Sequence, residues 1–194
     1  MEVGKNRPTT VELEDIVPAV FNLFIDWLYS QKISIPDEVN INVGEKAIDC
    51  IQGNEYHMLA IMLYALANRF LVRDLTRSMN RLLVADYAVK ATRPSLDIII
   101  FAFGNLRSSD TILDLLVDFH CCAWHPWLRD YEEEAKLEKE LPHDFLLRVM
   151  HAHACSNEAA RLQTPGDLVP CDYHEHDTLA EWKACEYKRP KGVM

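Results

Sequence analysis

The first strong pattern along the chain is a run of apolar residues that follows Pro18. Residues 20–29 read VFNLFIDWLY, and the only polar positions before Ser30 are Asn22 and Asp26, four residues apart. Because proline favours the first helical position, this pattern predicts a helix over 18–31. A helix that is apolar on nearly every side must be buried on nearly every side, so we expect it to have neighbours on both flanks.

The next two helices are predicted to form a hairpin. One begins at Asn54 or Glu55 and the other ends at about Tyr87, with apolar residues three and four positions apart in both. Their apolar positions are Leu59, Met62, Leu63, Leu66 and Phe70, then Leu75, Met79, Leu82 and Leu83. A short turn separates the two helices, so antiparallel packing is expected. Residues 32–54, which precede them, predict a loop with weak short strands at 33–35 and 39–41.

The remainder of the chain predicts three more helices and a tail, which makes the fold class mainly α. Pro94 opens a fourth helix that continues to Leu106, and residues 108–110 cap a fifth that ends near Trp124. Pro142 opens a sixth. The acidic connector at 131–140 suits either a solvated helix face or a linker. Residues 156–194 are polar and rich in proline, which predicts a largely irregular tail.

Charge and length narrow the classes of partner. The 194 residues include 30 acidic and 20 basic side chains, and the formal net charge of −10 has the wrong sign for binding nucleic acid. The longest apolar run, 58–67, is about half the length needed to cross a bilayer, so no membrane partner is expected. Neither a secretory leader nor a prenylation signal stands out, which predicts an intracellular protein, cytoplasmic or nuclear.

A basic stripe runs along the third predicted helix. Arg73, Arg77 and Arg81 are spaced four residues apart and share one face. Such a stripe is typical of a solvated helix face, and we expect Asp74 and the acidic excess of the chain to neutralise part of it.

The richest cluster of metal-ligating residue types is Cys171, His174, His176 and Cys185, with the spacing C-x2-H-x-H-x8-C. Thiolate and imidazole are the ligands that tetrahedral zinc prefers, and four of them could close a structural site. The spacing matches no standard zinc finger, however, and the acidic residues beside the histidines equally suit a solvated tail. Both interpretations stay open: zinc is the candidate cofactor, and otherwise none is expected.

No catalytic constellation is recognisable in the chain. Only six glycines are present, and no G-x-S-x-G, P-loop or G-x-G-x-x-G motif occurs. The six cysteines suit small buried side chains better than nucleophiles. We therefore predict a protein that is not an enzyme.

Two stretches resemble the second half of a BTB/POZ domain, and of fungal members most closely. They are VELEDIVPAVFNLFIDWLYSQKI at 11–33 and YALANRFLVRDL at 64–75. The resemblance covers 11–90 and continues more loosely through a helical extension at 91–155 to the tail at 156–194. A complete BTB domain starts with strands and a helical hairpin, which residues 1–10 are too short to supply, so the chain looks like a truncated domain.

The resemblance implies a non-enzymatic protein–protein interaction module. BTB domains commonly self-associate and sometimes recruit cullin-type ubiquitin ligases, so a second copy or a protein partner is expected. Without the first half of the domain, the side chains of Phe21, Phe24, Trp27 and Leu28 are the candidate contact set, although the same residues suit a core equally well. The alternative function is a small zinc-stabilised helical protein that uses the cluster at 171–185.

Overall fold

The structure is a computed structural model that describes residues 13, 15–33, 35, 42–43, 46–47, 55–123, 133–155 and 164–185. Helices dominate these residues. The predicted mainly α fold is confirmed. The helices are α1 (Pro18–Ser30), α2 (Glu55–Arg69), α3 (Arg73–Val84), α4 (Leu96–Asn105), α5 (Thr111–Ala123), α6 (Glu133–Leu137), α7 (His143–Cys155), α8 (Pro170–Tyr173) and α9 (Leu179–Ala184). A π-helical turn at Ala85–Val89 extends α3, and 3-10 turns lie at Glu138–Glu140 and Pro165–Asp167. Among these residues no helix is both long and apolar enough to span a bilayer.

The short strands differ in position from those predicted. β1 (Asn42–Val43) pairs antiparallel with β2 (Lys46–Ala47). Ile33 and Ile35, the described residues of the first predicted strand, form no strand and pack half-buried against the core. The second predicted strand, at 39–41, lies outside the described residues. A strand of three residues has too few ladder hydrogen bonds to form without a partner beside it.

The centre of the core is α2, which packs with α3 as the predicted hairpin. Its consecutive residues 58–64 are all buried, and they include Tyr64, whose side chain is fully enclosed. α1 contacts one side of α2, and α4 contacts another. α2 is therefore the helix that is covered on all sides, because its long apolar run supplies every face with side chains that gain from burial.

α1 lies at the edge of the core, and the prediction that it would be buried on nearly all sides is wrong. Val20, Phe24 and Trp27 face α2 and are buried, whereas Leu28 is 43% exposed and Tyr29 is 88% exposed. Within the described residues α2 is its main packing partner. An apolar sequence makes burial of a helix favourable, but burial also requires other elements that pack against it. The described residues provide such elements on only one side of α1.

The later helices pack around α5, whose Leu113, Leu116 and Phe119 are buried. α7 lies along α5 and inserts the fully buried Phe145, while α4 completes the group. The acidic connector is partly helical, and Glu134 forms an ion pair with Arg93 at 3.0 Å. Residues 124–132 lie outside the description.

The C-terminal segment at 164–185 is not the irregular polar tail that was predicted. It contains a 3-10 turn, α8 and α9, and it buries Leu168, Cys171 and Tyr173 against the helical core. Thr164 and Asp167 cap the 3-10 turn reciprocally, and Pro170 begins α8. The few apolar residues of this segment pack into the core. The prediction was made from the polar composition of the segment, which does not indicate this packing.

Candidate functional site

Three metal-ligating side chains converge in the C-terminal segment. The sulfur of Cys171 at the start of α8, an imidazole nitrogen of His176, and the sulfur of Cys185 after α9 all lie within 4.8 Å of one another. The Cys171 Sγ to His176 Nε2 distance is 3.5 Å. Among the described residues this is the one group of histidine, cysteine and carboxylate side chains close enough together to hold a metal ion.

His174 lies at the edge of this group. Its Nδ1 is 3.5 Å from the Sγ of Cys185, and its ring centre is 5.9 Å from that of His176. The structure thus brings together all four residues that the sequence singled out, three of them as a tight group and His174 directly beside it. The burial of His174 and the nearby His176 and Arg81 lower its pKa, which favours the neutral imidazole that metal binding requires.

The backbone between the ligands is anchored by hydrogen bonds to the core. Asn80 on α3 donates from Nδ2 to the carbonyl of Tyr173 at 3.0 Å, and its Oδ1 accepts from the backbone N–H of Glu175 at 3.1 Å. The Thr111 hydroxyl donates to the same carbonyl at 2.9 Å. The Tyr173 hydroxyl donates to Asp118 at 2.7 Å. The residues on either side of His174 are thereby fixed by contacts that involve no metal ligand.

The side chain of Glu175 forms a hydrogen bond with a buried tyrosine. The Tyr64 hydroxyl lies 2.8 Å from Glu175 Oε1 and 3.0 Å from Asp110 Oδ1. Burial raises the pKa of Asp110. One phenolic proton therefore faces two carboxyl groups, and this cluster ties the metal-ligand segment to α2 and to the start of α5. Nothing in the sequence pattern near Tyr64, an apolar run, indicates this contact.

The basic stripe of α3 docks the C-terminal segment, so the expectation of a solvated face is wrong for Arg77. Arg77 pairs with Asp177 at 3.0 Å and with Glu181 at 2.7 Å, and only 19% of its side chain is exposed. Arg73 pairs with Asp177 at 2.6 Å. The hydrogen bond from Arg77 lowers the pKa of Glu181. The signal was present in the sequence, because the two acids share the four-residue spacing of the two arginines.

A cavity of about 520 Å³ opens beside the cluster. His174, His176 and Cys185 line one side of it, and Arg81 and Val89 line another. The cluster is thus enclosed by protein on the core side and reachable by a small ion from the cavity.

The predicted contact set on α1 divides in two. Phe24 and Trp27 are buried in the core, so they are not available to a partner in this structure; the alternative reading, that they suit a core, holds for them. Phe21 is half-buried and its ring lies 6.3 Å from that of Phe24. Leu28 remains exposed.

The turn between α2 and α3 adds exposed apolar residues that the sequence reading missed. Phe70 is 41% exposed and stacks on Phe24 at 5.5 Å, and Leu71 is 73% exposed. Leu71 also has a φ of 57°, in the left-handed region that costs a residue with a side chain about 1–2 kcal/mol. Together, Leu28, Tyr29, Phe70 and Leu71 form what we call the α1 edge.

A groove of about 470 Å³ runs between α1 and α4 above α2. Val20, Met62 and Leu66 are among its apolar lining residues, and Arg69 and Arg107 are among its charged ones. Arg69 is already paired with Asp15.

The thiol of Cys122 is poorly reactive. Cys122 is buried on α5, where burial raises the pKa of its thiol to about 11. A thiol with so high a pKa is largely protonated near neutral pH and is a poor nucleophile.

Comparisons of the chain with protein-family models, with curated proteins and with solved structures find no match in any of the three. The resemblance to BTB/POZ domains rests on the residues quoted above and stays a prediction.

Proposed function

We propose that the protein is a non-enzymatic protein–protein interaction module of the BTB/POZ type, and that its α1 edge binds a second copy of the chain. The observation that carries the proposal is the exposure of two adjacent apolar pairs, Leu28 with Tyr29 and Phe70 with Leu71, beside a helix covered on one side. The stacking of Phe70 on Phe24 brings the second pair to α1, and exposed apolar surface is typical of interaction sites.

Leu71 lies just after α2 in a left-handed cap, in which the N–H of Val72 bonds to the carbonyl of Ala67, and its side chain gains little burial within its own chain. Arg69, which directly precedes Phe70, is already paired with Asp15, so its charge is partly balanced within its own chain.

The resemblance to BTB/POZ domains supports an interaction role independently, since that family assembles proteins and carries no catalytic residues. It also suggests a cullin-type ligase as a second kind of partner. The α1 edge favours the second copy, because an apolar face is its own complement.

The test is the mass of the purified chain in solution, measured by light scattering over a range of concentrations. We expect a dimer that dissociates on dilution, and we expect L28Q combined with L71Q to weaken it. Each leucine buried in a contact contributes about 1–2 kcal/mol, and both copies of the dimer carry both changes, so the substitutions should raise the dissociation constant by about a thousandfold or more.

Leu146 on α7 provides the matched control, because it is 46% exposed, close to the 43% of Leu28, and lies away from the α1 edge. L146Q should leave the dimer unchanged. A wild-type chain that stays monomeric at the highest concentrations, or a dimer that L28Q and L71Q do not weaken, would overturn binding of a second copy at this edge.

A further inference from the structure

We propose that Cys171, His174, His176 and Cys185 bind one zinc ion in a tetrahedral site that fastens α9 to the helical core. The inference is independent of the proposed interaction at the α1 edge. It rests on the convergence of side chains from two separate parts of the C-terminal segment.

The distances between the ligand atoms are those of a site close to its bound geometry. With Zn–S and Zn–N bonds of about 2.3 and 2.05 Å, the edges of a tetrahedron are about 3.6 Å from sulfur to nitrogen and about 3.8 Å between sulfurs. The two sulfur–nitrogen contacts in the structure are both 3.5 Å. The ligand atoms of Cys171, His176 and Cys185 lie within 4.8 Å of one another, so movements of about an ångström bring these three to bonding distance of one ion. His174, whose Nδ1 contacts the Sγ of Cys185, lies beside this group as the fourth ligand.

The chemistry of the donors favours zinc. Two thiolates and two imidazoles form the S2N2 set that is typical of tetrahedral zinc, whereas calcium and magnesium prefer oxygen ligands. The thiolates neutralise the two positive charges of the ion, so the bound site adds no net charge near Cys171, which is 3% exposed. The adjacent cavity gives the ion a path to the site.

Two of the ligands are held in place by contacts that involve no metal. Asn80 bonds to the backbone of Tyr173 and Glu175, on either side of His174, and Cys171 is buried in α8. Folding of the core therefore already orders part of the site, and metal binding loses less chain entropy than it would in an unordered segment.

α9 is the part that depends on the metal. None of its residues is buried, with Leu179 65% and Trp182 46% exposed. The ion pairs of Asp177 and Glu181 with α3 are among its attachments, and the one between Arg77 and Glu181 is partly buried. A bond from the metal to Cys185, directly after α9, adds an attachment at the end of the helix that does not depend on burial.

The first test is metal content and cobalt substitution. Purified protein that is stripped and titrated with Zn²⁺ should bind one equivalent. Co²⁺ in its place should give the intense visible bands of a tetrahedral ion together with a thiolate-to-cobalt charge-transfer band. C171S and C185S should each lower the affinity for Zn²⁺ on the order of 100-fold or more, and H174Q should also lower it.

The control is C121S, because Cys121 is a half-buried cysteine on α5 that does not belong to the cluster. It should bind Zn²⁺ as the wild type does. Circular dichroism of each variant checks that the helices persist, and the wild-type cobalt spectrum tests the site even where a variant fails to fold. Failure of the folded wild type to bind Zn²⁺, or unchanged affinity in C185S, would overturn the proposal.

The second test addresses the fastening of α9. Removal of the metal by a chelator should increase hydrogen exchange several-fold in 178–185, while 170–176 should keep most of its protection. Equal protection of 178–185 with and without the metal would show that contacts within the protein hold α9 and would overturn the fastening role.

Discussion

Asn80, in the middle of α3, donates a hydrogen bond from its buried side-chain amide to the backbone carbonyl of Tyr173, 93 residues later in the chain. The same side chain accepts from the N–H of Glu175. An asparagine amide offers a donor and an acceptor side by side, which matches the two backbone groups that flank a single residue. One polar side chain in the core thus anchors the C-terminal segment at two successive backbone groups.

Replacement of Asn80 by alanine should therefore destabilise the protein. The change removes two hydrogen bonds and leaves the Glu175 N–H without its acceptor, so we expect the free energy of unfolding to fall by about 2–3 kcal/mol. Urea denaturation followed by circular dichroism measures the loss. N105A is the control, because Asn105 is exposed at the end of α4 and its side chain bonds within its own helix. A loss in N80A no larger than that in N105A would contradict the anchoring role.

The helices whose apolar residues recur every three or four positions were predictable from the sequence. The α2–α3 hairpin and the start of α7 after Pro142 follow the predicted pattern. The error concerned coverage: α1 and α2 are both apolar on most sides, yet only α2 is enclosed. Local sequence reports which side chains gain from burial, whereas enclosure depends on elements distant in the chain.

Arg77 should contribute more to stability than Arg73, although both pair with Asp177. The side chain of Arg77 is 19% exposed and has a second partner in Glu181, whereas that of Arg73 is 76% exposed. Methionine retains the apolar stem and removes the charge. We expect R77M to lower the free energy of unfolding by about 1–2 kcal/mol and R73M by at most about 0.5 kcal/mol.

Denaturation of the two variants at low and high salt checks this expectation. Salt screens exposed charges more than partly buried ones, so the smaller effect of R73M should vanish in high salt while most of the effect of R77M persists. Equal losses in the two variants would mean that burial does not strengthen the Arg77 pairs.

The ligand residues of the candidate site were predictable from the sequence, but the contacts that hold their segment to the helical core were not. The sequence singled out four ligands because thiol and imidazole groups are concentrated at 171–185, and the structure brings them together. It did not indicate that Tyr64, Asn80 and Thr111 hold this segment, because each of those contacts joins residues more than 60 positions apart. The complementary spacing of Arg73 and Arg77 with Asp177 and Glu181 was the one long-range signal available.

His120 on α5 should make the protein less stable in mild acid. Burial, with smaller contributions from Arg93 and His153, lowers its pKa from 6.5 to about 4. Between these values the unfolded chain binds a proton at His120 and the folded chain does not, so the free energy of unfolding decreases as the pH falls through that window. From about pH 7 to about pH 5 the contribution of this residue amounts to about 2 kcal/mol.

H120Q should flatten this part of the pH dependence, because glutamine keeps a polar side chain beside Phe145 and does not titrate. Urea denaturation of the wild type and H120Q at several pH values in that range isolates the contribution of His120, since every other group titrates in both proteins. His143 lies exposed at the start of α7, and H143Q should retain the slope of the wild type. If H120Q and the wild type lose stability in parallel as the pH falls, the acid sensitivity comes from other groups. Burial would then lower the pKa of His120 too little to affect the free energy of unfolding.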